Sequence, residues 1–211
     1  TTIYVTPVGG GYVPIYDGSN WKQTKFAEVS QATTDTTKSP AAVGASLIYD
    51  VFCWIDSGTN RCTRGPARAS DTTAGSFTYV DGIPLNTSSI TNGPAAQRGT
   101  YVGSFRSNAS STVDLKFGSS ASGGGAAWFG VWNMYNRAMA TAWVQDAGAN
   151  WNVTTPGPAA MNASNSNRIS ILHGIDEDAV SARIITRGIS TSGAWMQFGF
   201  CLDSTSAFAA K

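Results

Sequence analysis

At 211 residues the chain can form one large β-domain or two small ones, and a hydrophobic fraction of 42% supplies a core. Only 13% of residues are charged, against about 25% in ordinary soluble domains. The net charge of +1 comes without a basic block, so the electrostatic footprint of a nucleic-acid binder is missing, and no apolar run approaches the ~20 residues that cross a bilayer as a helix.

Ser, Thr, Gly, Asn and Ala fill the place of the missing charges, a composition common in extracellular β-proteins, fibres and capsid components. Thr1 to Asn20 carries neither a basic start nor a hydrophobic stretch. That reads as a signal already removed, or as assembly inside a cell into a particle.

In chain order, Ile3–Val5 and Tyr12–Tyr16 read as short strands. Asp17-Gly18-Ser19-Asn20 is a hairpin-type turn, and a strand over Trp21–Val29 follows it. Residues 30–46, rich in Thr, Ser and Ala, read as an irregular connection. Leu47–Asp56 and Arg61–Arg64 form a hairpin whose turn at Ser57-Gly58 sets Cys53 directly opposite Cys62. A cross-strand disulfide is geometrically open to that pair, and the other reading is two small buried hydrophobes. Cys201 reads as a core thiol.

Phe77–Val80 and Ile83–Leu85 flank Asp81-Gly82, and Asn92-Gly93-Pro94 is a further turn. Gly99–Arg106 alternates, with Tyr101, Gly103 and Phe105 sharing a face. Val113–Phe117 follows. Trp128–Arg137, read at period two, puts Trp128, Gly130, Trp132 and Met134 on one side and Phe129, Val131, Tyr135 and Arg137 on the other. Both sides are apolar, so the run predicts a strand covered on both faces. The last strands are expected near Arg168–His173, Val180–Thr186 and Ala194–Leu202.

Short strands at roughly ten-residue spacing, with no long helix, predict an all-β fold, an antiparallel β-sandwich or jelly roll. Residues 1–30 are expected to form a small N-terminal β-hairpin appendage, and residues 31–211 the sandwich domain.

Catalytic chemistry finds little purchase. His173 is the sole histidine, and any Ser-His-Asp arrangement would need it; a strand-end histidine beside a solvated acidic turn is the simpler reading. Asp176, Glu177 and Asp178 lack the ligand spacing of a calcium loop. One histidine and no Cys-x-x-Cys pair predict no metal site and no cofactor. Asp50, Asp56 and Asp114 could converge as a sugar-hydrolysing pair, but no spacing singles out two of them. Among the aromatics, Trp21 and Trp151 lie beside turns and are the candidates for stacking on a sugar ring. Arg98, Arg106 and Arg137 sit in or beside apolar strands, where an arginine must be paired or must bond carbonyls at an interface. Arg106, Trp132, Tyr135 and Arg137 are the candidates for the core or a subunit contact.

Three segments in order, Asp-Gly-Ile-Pro-Leu at 81–85, Arg-Gly-Thr-Tyr-Val-Gly-Ser-Phe-Arg-Ser-Asn at 98–108 and Trp-Asn-Met-Tyr-Asn-Arg at 132–137, resemble a group of tailed-bacteriophage virion proteins. In that group an Arg-x-Tyr-Leu-Gly-Thr-Phe-Arg-Thr strand precedes a Trp-Asn-x-Tyr-Asn-Arg strand. The Tyr-Val-Pro-Ile-Tyr-Asp-Gly-Ser-Asn-Trp segment at 12–21 is similar to their N-terminal part, and the resemblance spans 12–140. This chain departs from the pattern at Val102, at Ser104 and in its Cys53/Cys62 pair. The resemblance implies a non-enzymatic virion component, a trimeric jelly-roll fibre, spike or decoration protein. Its partners would be copies of itself, other virion proteins and, in a receptor-binding role, host-surface glycans. The two readings beside it are a carbohydrate-binding adhesin and a glycan-degrading enzyme.

Overall fold

The structure, a computed structural model, describes residues 1–118, 120–121, 125–137, 139–146, 164, 166–175, 181 and 183–185. Those residues form an all-β protein, without a helix among them and with mainly antiparallel pairing. The chain divides into two compact units. Unit 1 is Thr1–Phe117, Trp128–Thr141 and Ser170–Asp176; unit 2 is Gly118–Ala127, Ala142–Ile169 and Glu177–Lys211.

Unit 1 is built in chain order. Strand β1 (Thr2–Val5) is followed by β2 (Tyr12–Tyr16), β3 (Trp21–Lys25) and β4 (Val29–Ala32). Then come β5 (Ile48–Asp56), β6 (Thr59–Ala67), β7 (Phe77–Val80), β8 (Ile83–Asn86) and β9 (Thr100–Arg106). The expected strand over Trp21–Val29 is two elements: β3 pairs with β2, and β4 pairs with β1. Its break lies at residues 26–28, just past the Phe26 N–H to Gly11 O bond that ends the β2–β3 pairing.

The main sheet runs β6-β5-β9-β8-β7. Local turn chemistry sets its hairpins. Ser57 and Gly58 take φ of 50° and 85°, and Asp81 and Gly82 take 48° and 81°, the paired left-handed turn residues that match the twist of two-residue hairpins.

β5 explains why this sheet is central. All six residues from Ile48 to Cys53 are buried, so both faces of the strand are covered. On one face Tyr49, Val51, Cys53, Cys62 and Phe105 pack with Val13 and Ile15 of β2. On the other, Ile48, Phe52, Tyr101 and Trp132 pack with Ile90, Leu172 and Ile175. The β1–β4 and β2–β3 pairs thus form a layer over the first face, in accord with a β-sandwich. Residues 1–30 are not a separate appendage: Val13 and Ile15 are core, and Thr100 Oγ1 donates to Pro14 O.

Tyr101 and Phe105 do not share a face as the alternation predicts. The ladder steps from Val51↔Gly103 to Phe52↔Tyr101, so β9 spends an extra residue, Val102, where β5 spends none. A bulge of this kind reverses the alternation beyond it. Tyr101 and Ser104 consequently point to the same side.

The aromatic run is also not one strand. It divides at Gly130 into β12 (Ala127–Phe129) and β13 (Val131–Asn133). Strand β10 (Leu115–Lys116) pairs with β12, whereas β13 pairs with β9 as Val131↔Phe105, Trp132↔Ser104 and Asn133↔Gly103. β13 ends where the Asn133 side chain caps the chain, its Oδ1 accepting from the amides of Tyr135 and Asn136 at 2.9 Å each. Trp132 is the one large side chain of the run that is buried; Val131 and Tyr135 are about half exposed, so the run is covered on one side.

In unit 2 the short strands β11 (Ser120–Ala121) and β14 (Gln145–Asp146) pair in parallel. β15 (Ile169–Ile171) lies where the sequence predicted a strand. The expected strand at Val180–Thr186 is described only at 181 and 183–185, which carry no strand, and that at Ala194–Leu202, with Cys201, lies outside the described residues.

Candidate functional site

A network of buried polar groups in unit 1 lies on the second face, at the junction of β5, β9 and β13. The bulge at Val102 brings Tyr101 Oη within 2.6 Å of Ser104 Oγ, and Ser104 Oγ donates to Asp50 Oδ1 at 2.6 Å. Arg68 closes the network with Nη2 on Asp50 Oδ1 at 2.6 Å and Nε on Oδ2 at 3.3 Å. Its Nη2 also reaches Ser104 Oγ at 3.2 Å and Gly174 O at 3.4 Å, and its Nη1 reaches Thr73 O at 3.3 Å. The ion pair is nearly sealed, with side-chain exposure of 7% for Arg68 and 11% for Asp50.

Aromatic rings wall the network. Tyr101 lies 5.8 Å from the Trp132 ring, stacked at 19°, and 4.3 Å from Phe77. Burial pushes the Tyr101 phenol above its ordinary range, so it stays a neutral hydrogen-bond donor. A side chain at Gly174 would strike both the Trp132 ring and Tyr101 Oη. Ser104 and Tyr101 are buried, and each polar atom is directed at another within the network. Such an arrangement holds three strands and the Gly174 segment together; it presents no nucleophile to a substrate.

A second buried arginine does comparable work on the first face. Arg64 is 1% exposed. It donates from Nη1 to Gln31 Oε1 at 2.8 Å and Ala32 O at 2.9 Å, and from Nη2 to Asp35 O and Ala41 O. The irregular 33–43 segment is folded around this guanidinium, and loss of hydration lowers its pKa from the usual arginine value.

A third cluster lies at the end of the β2–β3 hairpin. Trp21 rests 5.2 Å from Tyr16, and its indole N–H donates to Asp81 Oδ2 at 3.0 Å. The Arg98 guanidinium lies 6.0 Å over the Tyr16 ring and lies against Gly18, where any side chain would collide with it.

The candidates read from the sequence fall into different places. Trp132 is core. Arg106 is half-buried, paired with Asp71 at 2.7 Å and lying 4.8 Å over the Trp128 ring. Tyr135 and Arg137 are exposed and so are not core; Arg137 lies 5.0 Å over Trp132. Trp21 is half-buried with its N–H engaged, so it is less open than its turn position suggests. Trp151 and Asp176–Asp178 lie outside the described residues.

Cys53 and Cys62 are opposite one another as read, and both thiols are free. The three aspartates considered for hydrolysis have separate partnerships: Asp50 with Arg68, Asp56 with Lys38 and Arg61, Asp114 with Lys116. His173 is half-buried between Leu172 and Gly174. No group of acidic, histidine and cysteine side chains suited to a metal occurs among the described residues.

Sequence reasoning missed Arg68 and Arg64, and read Asp50 only as one scattered acid. The available signal was Asp50 itself, an acid in the middle of the apolar run Leu47–Ile55, where burial requires a partner. Comparison with protein families, curated proteins and solved structures finds no match for this chain.

Proposed function

We propose that this chain is a non-enzymatic structural component of a bacteriophage virion, a surface fibre, spike or decoration protein that assembles as a homo-oligomer. One observation carries the proposal. Two of the segments that carry the resemblance to virion proteins, 98–108 and 132–137, meet in one antiparallel pairing, β9 against β13. Their residues serve that junction: Gly103 lets Trp132 O approach, Ser104 bonds Asp50, and Trp132 stacks on Tyr101. A motif spent on framework suits a building block better than a catalyst.

Outward apolar groups fit self-assembly. Leu115, Phe117, Val131 and Tyr135 are each about half exposed, and a jelly-roll trimer would cover such surfaces by symmetric contact. Light scattering on the purified full chain should give about 66 kDa, three copies of 22.0 kDa; a 22.0 kDa particle would refute homo-oligomer assembly. Peptides of the chain should also be found by mass spectrometry in density-purified phage particles from its source, and their absence would remove the virion assignment.

The Trp21, Tyr16, Arg98 and Asp81 cluster favours a second reading, recognition of a host-surface glycan. Aromatic faces beside a carboxylate and a guanidinium suit the ring and hydroxyls of a sugar. Retention of the protein on host polysaccharide, lost on Trp21→Ala, supports it; no retention sinks it.

A further inference from the structure

We propose that Cys53 and Cys62 form a redox-modifiable site, a cross-strand pair that a small disulfide oxidant closes into a reversible staple across β5 and β6. The register places them. Ser57 and Gly58 make a two-residue turn, so Asp56↔Thr59 is the closing hydrogen-bonded pair of the hairpin. The ladder then runs without a shift through Ile55↔Asn60 and Trp54↔Arg61 to Cys53↔Cys62. Antiparallel pairs alternate between bonded and non-bonded, which makes Cys53↔Cys62 a non-bonded pair, with Cα atoms about 4.5 Å apart. A disulfide spans Cα separations of about 4.4–6.8 Å, so the bond forms with the two strands where they already are.

The site is gated by packing. Both cysteines are 3% exposed and lie in the core cluster with Val13 and Ile15. The seam beside Cys53 is lined by Val13, Ile15, Phe26 and Val29 and is too narrow to admit water. Burial pushes the Cys53 thiol up to about 12 and the Cys62 thiol up to about 11, so thiolate is scarce at neutral pH. Reaction therefore follows opening of the β2–β3 cover over the hairpin.

Oxidised glutathione serves as the co-reactant. The Cys62 thiolate attacks one of its sulfurs, forming a mixed disulfide and releasing one glutathione, which takes up the proton. The Cys53 thiolate then attacks the Cys62 sulfur, forming the Cys53–Cys62 bond and releasing the second glutathione. Two cysteines are oxidised and one glutathione disulfide is reduced to two thiols.

The test uses the full chain carrying Cys201→Ser, so that only this pair can react, in glutathione redox buffers with and without urea below the unfolding transition. Intact mass and alkylation should show a species lighter by about 2 Da, with neither thiol alkylated and reversed by dithiothreitol. It should form at least ~10-fold faster in urea and melt roughly 5–10 °C higher than the reduced form. Cys62→Ser should stop instead at a mixed disulfide on Cys53. A stable mixed disulfide as the end product in the two-cysteine chain, or two alkylatable thiols after unfolding and refolding in the oxidising buffer, would overturn the site. A rate indifferent to urea would overturn the gating.

Discussion

Breaking the Asp50–Arg68 pair one partner at a time tests whether the buried network holds unit 1 together. The side chains are 11% and 7% exposed, so solvent does little to screen either charge. Arg68→Met keeps the stem and removes the charge, leaving Asp50 with Ser104 as its remaining partner among those described. The expected loss is about 3–5 kcal/mol, the range for a buried ion stripped of its partner. Asp50→Asn leaves the Arg68 guanidinium on two carbonyls and a hydroxyl and should fall at the lower end of that range. The double variant removes both charges together and should lose about 2 kcal/mol less than the sum. Urea unfolding gives the free energies, with near-ultraviolet circular dichroism reporting the stacked Tyr101 and Trp132. Single losses under about 1 kcal/mol, or a double variant additive within ~0.5 kcal/mol, would refute the claim that the pair is a coupled buried unit.

Two further outcomes follow from the same geometry. Gly103→Ala puts a methyl group into Trp132 O, a backbone atom that moves only if β13 leaves β9; a loss of about 1–3 kcal/mol or more is expected, with the Trp132 signal collapsing first, and an unchanged near-ultraviolet spectrum would contradict it. Acid should weaken the 33–43 segment. Burial works to raise the Asp35 carboxyl, yet bonds from Thr37, Gln31 and the Lys38 amide outweigh it and hold it below 3.8, and Lys38 holds Asp56 down as well. Folded values below unfolded ones mean stability that is present above about pH 4 and lost as the pH falls further. Urea midpoints should therefore drop on going from pH 6 to pH 3, and Asp35→Asn should flatten that slope.

The hairpins were legible because their turns are local. Ser57-Gly58, Asp81-Gly82 and Asp17–Asn20 state their backbone geometry in adjacent residues, and the Asp17 Oδ1 bonds to the amides of Ser19 and Asn20 follow from the same few residues. The bulge at Val102 was not legible. Nothing in Gly99–Arg106 marks an extra residue; it exists only in the pairing with β5. The faces of Tyr101 and Phe105 were therefore misassigned, and with them the link from Tyr101 to Ser104. The division of Trp128–Arg137 had a local sign in Gly130, since glycine inside a strand often marks a bend or bulge. The decisive reason was again distant: β10 takes one half and β9 takes the other. Arg64 was hidden in the same way, because its acceptors, Gln31 Oε1 and the carbonyls of Ala32, Asp35 and Ala41, lie on β4 and in the irregular segment after it, far from Arg64 in sequence.

These misreadings share a cause that bears on function. Polar residues lodged in the strands, Asp50, Arg64 and Ser104, are turned inward and consumed by partners from other elements. Such residues fasten separate segments to the main sheet: Arg64 the 33–43 segment, Arg68, held by Asp50, the stretch around Gly174, and Ser107 the Gly44–Leu47 turn through its hydroxyl. Charge is scarce in this chain, and the charges of Asp50, Arg64 and Arg68 are spent on that fastening. What faces outward is mostly uncharged, with half-exposed Tyr12, Tyr79, Leu115, Phe117, Val131 and Tyr135 among it. A surface of that kind recognises by shape and apolar contact more than by field. It is therefore on these half-exposed apolar side chains, and at the Trp21 cluster with its aromatic faces, that recognition by this fold is to be sought.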